Sequence, residues 1–290
     1  MSIERVFIVG SGLMGSGIAQ VCAQSGFQVV LNDVQPEALQ KAVKNISWSV
    51  GKFVEKGTVK GTVEEIMSRI TTSTEMDAAG GSDLIIEAVF ENPDLKRDVF
   101  RQIDKAARPD AVIASNTSAI SISDLAGVTG RPECVLGVHF FSPVPMMPAA
   151  EVIRGMLTSE ETFARGVEFI RKLGKEPVLV QRDIPAFVIN RINYRANTEA
   201  MRLVEQGVAS VEDIDKGLRL AGGRKMGPFE TGDLVGLDVT YGALMAIYEE
   251  TKDPSFYPPA ILKRKVQMGH LGRKAGRGWY EYNSDGTMKK

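Results

Sequence analysis

"VFIVGSGLMGSGIAQ", residues 6–20, carries an apolar run straight into three spaced glycines, Gly10-x-Gly12-x-x-Gly15, and on into a helical pattern. Gly10 permits a tight turn, Gly12 lets the backbone come close to a pyrophosphate, and Gly15 lets the helix pack closely on a sheet. Phosphates would then rest at the helix N-terminus, where free N–H groups and the helix dipole favour anions. Glycine-rich turns are common, so the surroundings decide. The next apolar run ends "VVLND" and puts Asp33 eighteen positions beyond Gly15, where a carboxylate can take the ribose diol. That carboxylate would repel a 2′-phosphate, and no Arg or Lys follows it until Lys41. NAD is therefore expected rather than NADP, held by Gly10, Gly12, Leu13, Met14, Gly15 and Asp33.

Outward from this turn, short β-rich runs alternate with helical stretches over roughly the first 180 residues. The runs "RVFIVG", "QVVLND", "RITTS", "DLIIEAV", "AVIASN", "CVLGVHFF", "AAEVI" and "PVLVQ" are mostly continuous in apolar character, as strands covered on both faces should be. Strand–helix alternation predicts an α/β, Rossmann-type doubly wound sheet. From about Pro185 the pattern becomes helical, with no convincing strand before "GWYEY". The expected domains are 1–184 and an all-α 185–290, with Pro185 suited to the first turn of a helix. Residues of about 37–69 form a helical, lysine-bearing stretch inserted before the third strand.

Composition narrows the function. A chain of 290 residues, 43% hydrophobic and with a formal charge of −1, can bury two cores but lacks the basic excess that nucleic acid requires. No apolar run is long enough for a membrane span, and the N-terminus has no signal-peptide pattern. The two cysteines, Cys22 and Cys134, have no metal-ligand or disulfide spacing. A cytoplasmic protein without a metal site is expected.

Only two histidines occur, and His139 lies inside the apolar run "VLGVHFF". A proline-punctuated loop follows, and then Glu151 sits among apolar neighbours in "AAEVI". Histidine suits proton transfer near neutral pH, and a carboxylate partner would fix its tautomer and stabilise the imidazolium that forms. A satisfied core histidine beside an unrelated glutamate fits the same residues, and spacing alone does not separate the two.

The motifs "VGSGLMGSGIAQ", "IIEAVFEN", "ASNTSAISI", "GVHFFSPVPMMPAAEVI", "RDIPAFVINR", "MGPFETGDLVGLD" and "LGRKAGRGWYEY", in that order, resemble the 3-hydroxyacyl-CoA dehydrogenases, especially the stand-alone bacterial 3-hydroxybutyryl-CoA dehydrogenases. The resemblance covers essentially the whole chain. It implies that His139 is the general acid/base and that Glu151 orients it. Ser118 matches a residue between substrate and nicotinamide, and Asn190 one that helps hold the reacting oxygen. Glu91, Lys96 and Lys274 match NAD-contacting positions, and the resemblance implies that the insert of about 37–69 is a helical hairpin that binds coenzyme A, with Ser49 and Lys56 at matching contact positions. The C-terminal domain is implied to close over the acyl-pantetheine and to form a homodimer.

Several positions depart from the family pattern. "MPAAEVI" stands where relatives often read "MKLVEVI", and Ala186 replaces a usual glycine. Asn193, Arg195, Asn197, Arg224 and Lys225 occupy positions that are mostly apolar, aromatic or proline in relatives. They raise the alternative of a more polar or dicarboxylic 3-hydroxyacyl-CoA, against plain variation at a surface or subunit interface. Two further readings are a β-hydroxyacid dehydrogenase of the type that uses a catalytic lysine, and a non-catalytic NAD-binding protein of the same fold.

Overall fold

Eight short runs, most of them rich in apolar residues, line up as a single sheet in the computed structural model, which describes residues 2–289. The strands are β1 (Arg5–Val9), β2 (Gln28–Asn32), β3 (Ile70–Ser73), β4 (Leu84–Glu87), β5 (Val112–Ser115), β6 (Val135–Phe140), β7 (Ala149–Ile153) and β8 (Glu176–Val180). Their order is β3-β2-β1-β4-β5-β6-β7-β8. The first six run parallel; β7 turns back antiparallel to β6, and β8 runs parallel to β7. Every residue of β4, β5 and β6 is buried, which is why those runs show no polar alternation.

The helices of this unit are α1 (Leu13–Gln24), α2 (Pro36–Glu55), α3 (Val63–Met67), α4 (Pro93–Ala106), α5 (Ile122–Ala126) and α6 (Glu160–Lys172). The sheet order reverses between β1 and β4, and the glycine turn follows β1 at that point, where doubly wound sheets bind ligands. Two glycines there are sterically obligatory. Gly10 has φ +99°, and a Cβ on Gly15 would lie 1.8 Å from the Gly10 carbonyl oxygen. The insert is one long amphipathic helix, α2, which buries Leu39, Ala42, Ile46 and Val50, followed by the single-turn α3 capped reciprocally by Thr62 and Glu65.

The chain divides into two compact units between Ile184 and Pro185. The second contains α7 (Ile189–Glu205), α8 (Val211–Leu220), α9 (Pro228–Val235), α10 (Leu237–Thr251) and α11 (Ala260–Gln267). Its core gathers Met201, Phe229, Leu237, Leu244, Ile247, Phe256 and Leu262. Two sequence expectations fail here. "GWYEY" makes only isolated bridges, because the Trp279 and Tyr280 N–H groups donate to the buried Asp233 carboxylate at 2.8 and 2.9 Å instead of to a strand. Pro185 is not in a helical first turn, since α7 begins four residues later. Ala186 and Phe187 between them have φ of +61° and +52°, so the alanine that replaces a family glycine stands in left-handed backbone that glycine adopts more easily.

Gly15→Ala should lower unfolding free energy by about 3 kcal/mol, as overpacked backbone contacts do. Gly12→Ala should cost much less, only the loss of a better N-cap residue, because a Cβ there meets nothing within 4 Å. Urea denaturation of both variants beside the wild type checks the contrast.

Candidate active site

The carboxyl ends of β4, β5 and β6 bring together Glu87, Ser115, Asn116 and His139. His139, near the end of β6, is register partner to Glu151 on β7, so both side chains leave the sheet on one face. Glu151 is 0% and His139 3% exposed. His139 Nδ1 lies 2.7 Å from a Glu151 carboxylate oxygen. An ionised carboxylate can only accept, so Nδ1–H donates and Nε2 keeps its lone pair. Ser118 Oγ, 3.2 Å away, donates to that nitrogen. The Phe141 ring packs edge-on against the imidazole at a centroid distance of 4.8 Å.

The loop bearing Ser118 is fixed from below by a second buried pair. Glu87, at the end of β4 and fully buried, accepts from Lys96 Nζ at 2.6 Å, from the Val89 N–H at 2.7 Å and from Ser115 Oγ at 2.7 Å. Lys96 is 1% exposed, and it also reaches the Val89 carbonyl at 3.2 Å and Glu91 at 3.3 Å. All three ammonium protons are thereby engaged inside the protein. Glu91 Oε1 in turn receives the Thr117 hydroxyl at 2.5 Å and the Ser118 and Ala119 N–H groups at 2.8 and 3.0 Å. Asn116 Oδ1 accepts from the Phe140 N–H at 2.9 Å and ties β5 to β6 beside the histidine. Of this network the sequence reading held Glu91, Lys96 and Ser118. Glu87, Ser115, Asn116 and Thr117 escaped it, although a glutamate inside the apolar run "DLIIEAV" is the same kind of signal that marked His139.

At the glycine turn, Gly12 caps α1 without a side-chain hydrogen bond, and no acidic residue occupies the first turn. The first N–H groups of the helix are free for an anion, with Gly12 and Leu13 exposed and Met14 half-buried beside them. Asp33 Oδ2 accepts from the Ser11 N–H at 2.9 Å and the Ser11 hydroxyl at 2.7 Å, and Oδ1 from the Gln35 N–H at 3.1 Å. It therefore braces the turn, and a carboxylate's spare lone pairs leave room for a ribose diol as well. These features fit a dinucleotide.

Ser49 is half-buried on α2, and Lys56, at the C-cap of that helix, is exposed, as are Lys41, Lys44 and Lys52. The remaining expected residues belong to the second unit. Asn190 lies in the first turn of α7, and Lys274 donates to Asp238 at 2.7 Å. Of the polar departures there, Asn197 buries its Oδ1 without a hydrogen-bond partner among the described residues, whereas others are engaged locally or exposed. Arg195 meets Asp253 at 3.2 Å and lies over the Phe256 ring, while Asn193 and Lys225 are exposed.

A phosphate-ready turn at the switch point and, along the same sheet edge, a histidine whose tautomer is set by a buried carboxylate belong to a dinucleotide-dependent dehydrogenase. Residues 5–184 match the family model described as 3-hydroxyacyl-CoA dehydrogenase, NAD binding domain, and residues 187–282 match that family's C-terminal domain. The chain is 40% identical to a 3-hydroxybutyryl-CoA dehydrogenase of Bradyrhizobium diazoefficiens, over 97% of this chain and 96% of the other. It is likewise 40% identical to the human mitochondrial hydroxyacyl-coenzyme A dehydrogenase, over 97% and 91% of the two chains. The crystal structure of an (S)-3-hydroxybutyryl-CoA dehydrogenase from Ralstonia eutropha superposes with a TM-score of 0.94, at 40% identity and with 98% and 100% coverage. The chain belongs to the 3-hydroxyacyl-CoA dehydrogenase family.

Asp33→Ala should weaken NADH binding about tenfold, the effect of losing a charge-assisted hydrogen bond and its brace on the turn. It should also narrow the preference for NADH over NADPH. Fluorescence titration with both nucleotides measures the two effects together.

Proposed function

We propose that the protein catalyses the reversible NAD-dependent oxidation of (S)-3-hydroxyacyl-CoA to 3-oxoacyl-CoA, with 3-hydroxybutyryl-CoA the foremost substrate. The observation that carries this reading is the 2.7 Å bond between His139 Nδ1 and Glu151, which leaves Nε2 as the basic atom. NAD, when bound, takes up the hydride released from C3. His139 Nε2 accepts the 3-hydroxyl proton as that hydride leaves, and Glu151 stabilises the resulting imidazolium without itself taking the proton. In the reductive direction the imidazolium returns the proton. Once substrate is bound, the Ser118 hydroxyl turns its single proton from Nε2 to a substrate oxygen and Asn190 donates beside it, since a hydroxyl and an amide polarise an oxygen without competing as bases.

Gly10, Gly12, Leu13, Met14, Gly15 and Asp33 hold the cofactor, and Glu91 and Lys274 add contacts to it. Lys96, with its ammonium enclosed by protein acceptors, contributes by holding Glu91 and the Ser118 loop. The exposed face of α2 takes the coenzyme A end through Ser49 and Lys56, and the exposed Trp48 lies on the same helix. Local engagement of Arg195 with Asp253 favours a plain short acyl chain over a dicarboxylic one. Within the second unit, Leu220, Leu234, Val235 and Val239 are 49–82% exposed, which supports a homodimer formed through that unit. No helix among the described residues is long and apolar enough to cross a membrane, and both cysteines are free, so the cytoplasm is the proposed compartment.

Mixing the protein with acetoacetyl-CoA and NADH should give rapid NADH loss that is feeble with NADPH. His139→Gln should lower kcat by at least a thousandfold and Glu151→Gln by roughly a hundredfold, following the pattern of base and orienting carboxylate. NADH binding without turnover of any acyl-CoA would sink the enzymatic reading. Lys56→Ala should raise KM for acetoacetyl-CoA several-fold and leave kcat unchanged, since the contact lies far from the reacting carbon and binds ground and transition states alike.

A further inference from the structure

A second fully buried carboxylate of the first unit, Glu87, accepts from a lysine, a hydroxyl and a backbone N–H beside the loop that carries Ser118. We propose that Glu87 is a positioning residue for the reaction, acting through Ser115 and Lys96 to hold the Ser118 hydroxyl on His139; the proposal rests on the dehydrogenase reading above.

Two routes run from this carboxylate to Ser118. Along the first, Ser115 Oγ donates its proton to Glu87 Oε2 at 2.7 Å, which turns its lone pair to accept the Thr117 N–H at 3.1 Å. Thr117 Oγ1 then accepts the Ala119 and Ile120 N–H groups at 3.3 and 2.9 Å, so the turn around Ser118 inherits that orientation. Along the second, Glu87 Oε1 holds Lys96 Nζ at 2.6 Å, and Lys96 draws in Glu91 Oε2 at 3.3 Å. Glu91 Oε1 grips the Ser118 N–H at 2.8 Å. Both routes end at the serine whose Oγ stands 3.2 Å from Nε2, the atom that must move the proton.

The chemistry calls for a carboxylate here. Glu87 accepts from a lysine, a backbone N–H and a hydroxyl, and both of its oxygens are used. Glutamine could keep the lysine and the backbone N–H on its carbonyl. Its NH₂ would then face Ser115 and donate, and the serine proton would have to turn elsewhere. A merely filled core position would not demand a group that only accepts, and burying an unneeded charge costs stability.

Glu87→Gln should lower kcat with saturating NADH and acetoacetyl-CoA at least tenfold, since small misplacements near reacting groups carry such effects. KM for acetoacetyl-CoA should stay within about threefold, and in a Ser118→Ala background the same substitution should cost less than about twofold, the non-additivity of residues acting as one unit. With only two histidines in the chain, ¹⁵N-histidine NMR of the cofactor-free protein gives a second readout. The His139 Nε2 resonance, assigned through His139→Gln, should move in Glu87→Gln in the same sense as in Ser118→Ala, while His270 stays put. Ser115→Ala, a minimal core change, should reproduce the kcat loss and the resonance shift, and it decides the matter alone if Glu87→Gln does not fold. An unchanged kcat, losses that multiply with Ser118→Ala, or an unmoved His139 resonance each overturn the proposal. A wild-type protein inactive on every acyl-CoA would instead fell the dehydrogenase reading and leave the NMR comparison to judge Glu87.

Discussion

The bond between His139 Nδ1 and Glu151, 2.7 Å long in a place almost closed to water, sets the terms for the structure around it. A fully buried carboxylate is costly to desolvate and stays only where good donors meet it. The strand register supplies one, because β7 reverses against β6 and sets Glu151 opposite His139. That reversal requires the chain between the strands to fold back over the top of the sheet. The buried Lys175 fastens this connection by donating to the Val144 and Met147 carbonyls at 2.8 and 2.5 Å. Val144 in turn lies so close to α1 that a Cβ on Gly17 would come within 2.9 Å of it. The helix whose uncapped N-terminus follows the glycine turn and the loop between β6 and β7 are thus in direct contact.

Much of this architecture was legible because its strands are covered on both faces. A run such as "VFIV", residues 6–9, has no solvent side, and its unbroken apolar character announces a strand of a parallel sheet. "GWYEY" carries an equally good β composition and still forms no strand. Its N–H groups are claimed by Asp233, a residue 46 positions away from Trp279, and composition records nothing of that competitor. Pro185 misled for a related reason. Proline does suit a helical first turn, but here the chain spends four residues in a turn before α7 begins, and Ala186 and Phe187 in it are buried with positive φ values.

The site divides along the same line. A histidine in an apolar run and a glycine fingerprint can be seen because each is anomalous within its own segment. Asp33 was also found, though its direct partners are Ser11 and Gln35, which brace the turn itself. Contacts between the ends of neighbouring strands left no such trace. Glu87 and Ser115 are register partners on β4 and β5 yet 28 positions apart in the chain, and nothing in either segment names the other. Residue types reveal that a charge is buried, whereas sheet order decides what it is buried against.

Two carboxylates, Glu87 and Glu151, are each 0% exposed, and they hold opposite sides of one hydrogen-bonded chain. Glu151 fixes the far nitrogen of the imidazole, and the Glu87 network fixes the hydroxyl that meets the near one. Neither arrangement would be chosen for stability alone, since apolar residues of similar volume fill a core at less desolvation cost. A general base, however, must have its lone pair in one place and one tautomer before the substrate arrives, and acceptor-only groups impose such a choice because they admit a single direction of donation. The fold can carry these charges because Lys96, the Ser115 hydroxyl and the Val89 N–H meet Glu87 at the end of β4, and His139 on β6 meets Glu151. The edge of the sheet where strands stop pairing is therefore also where proton positions can be prescribed.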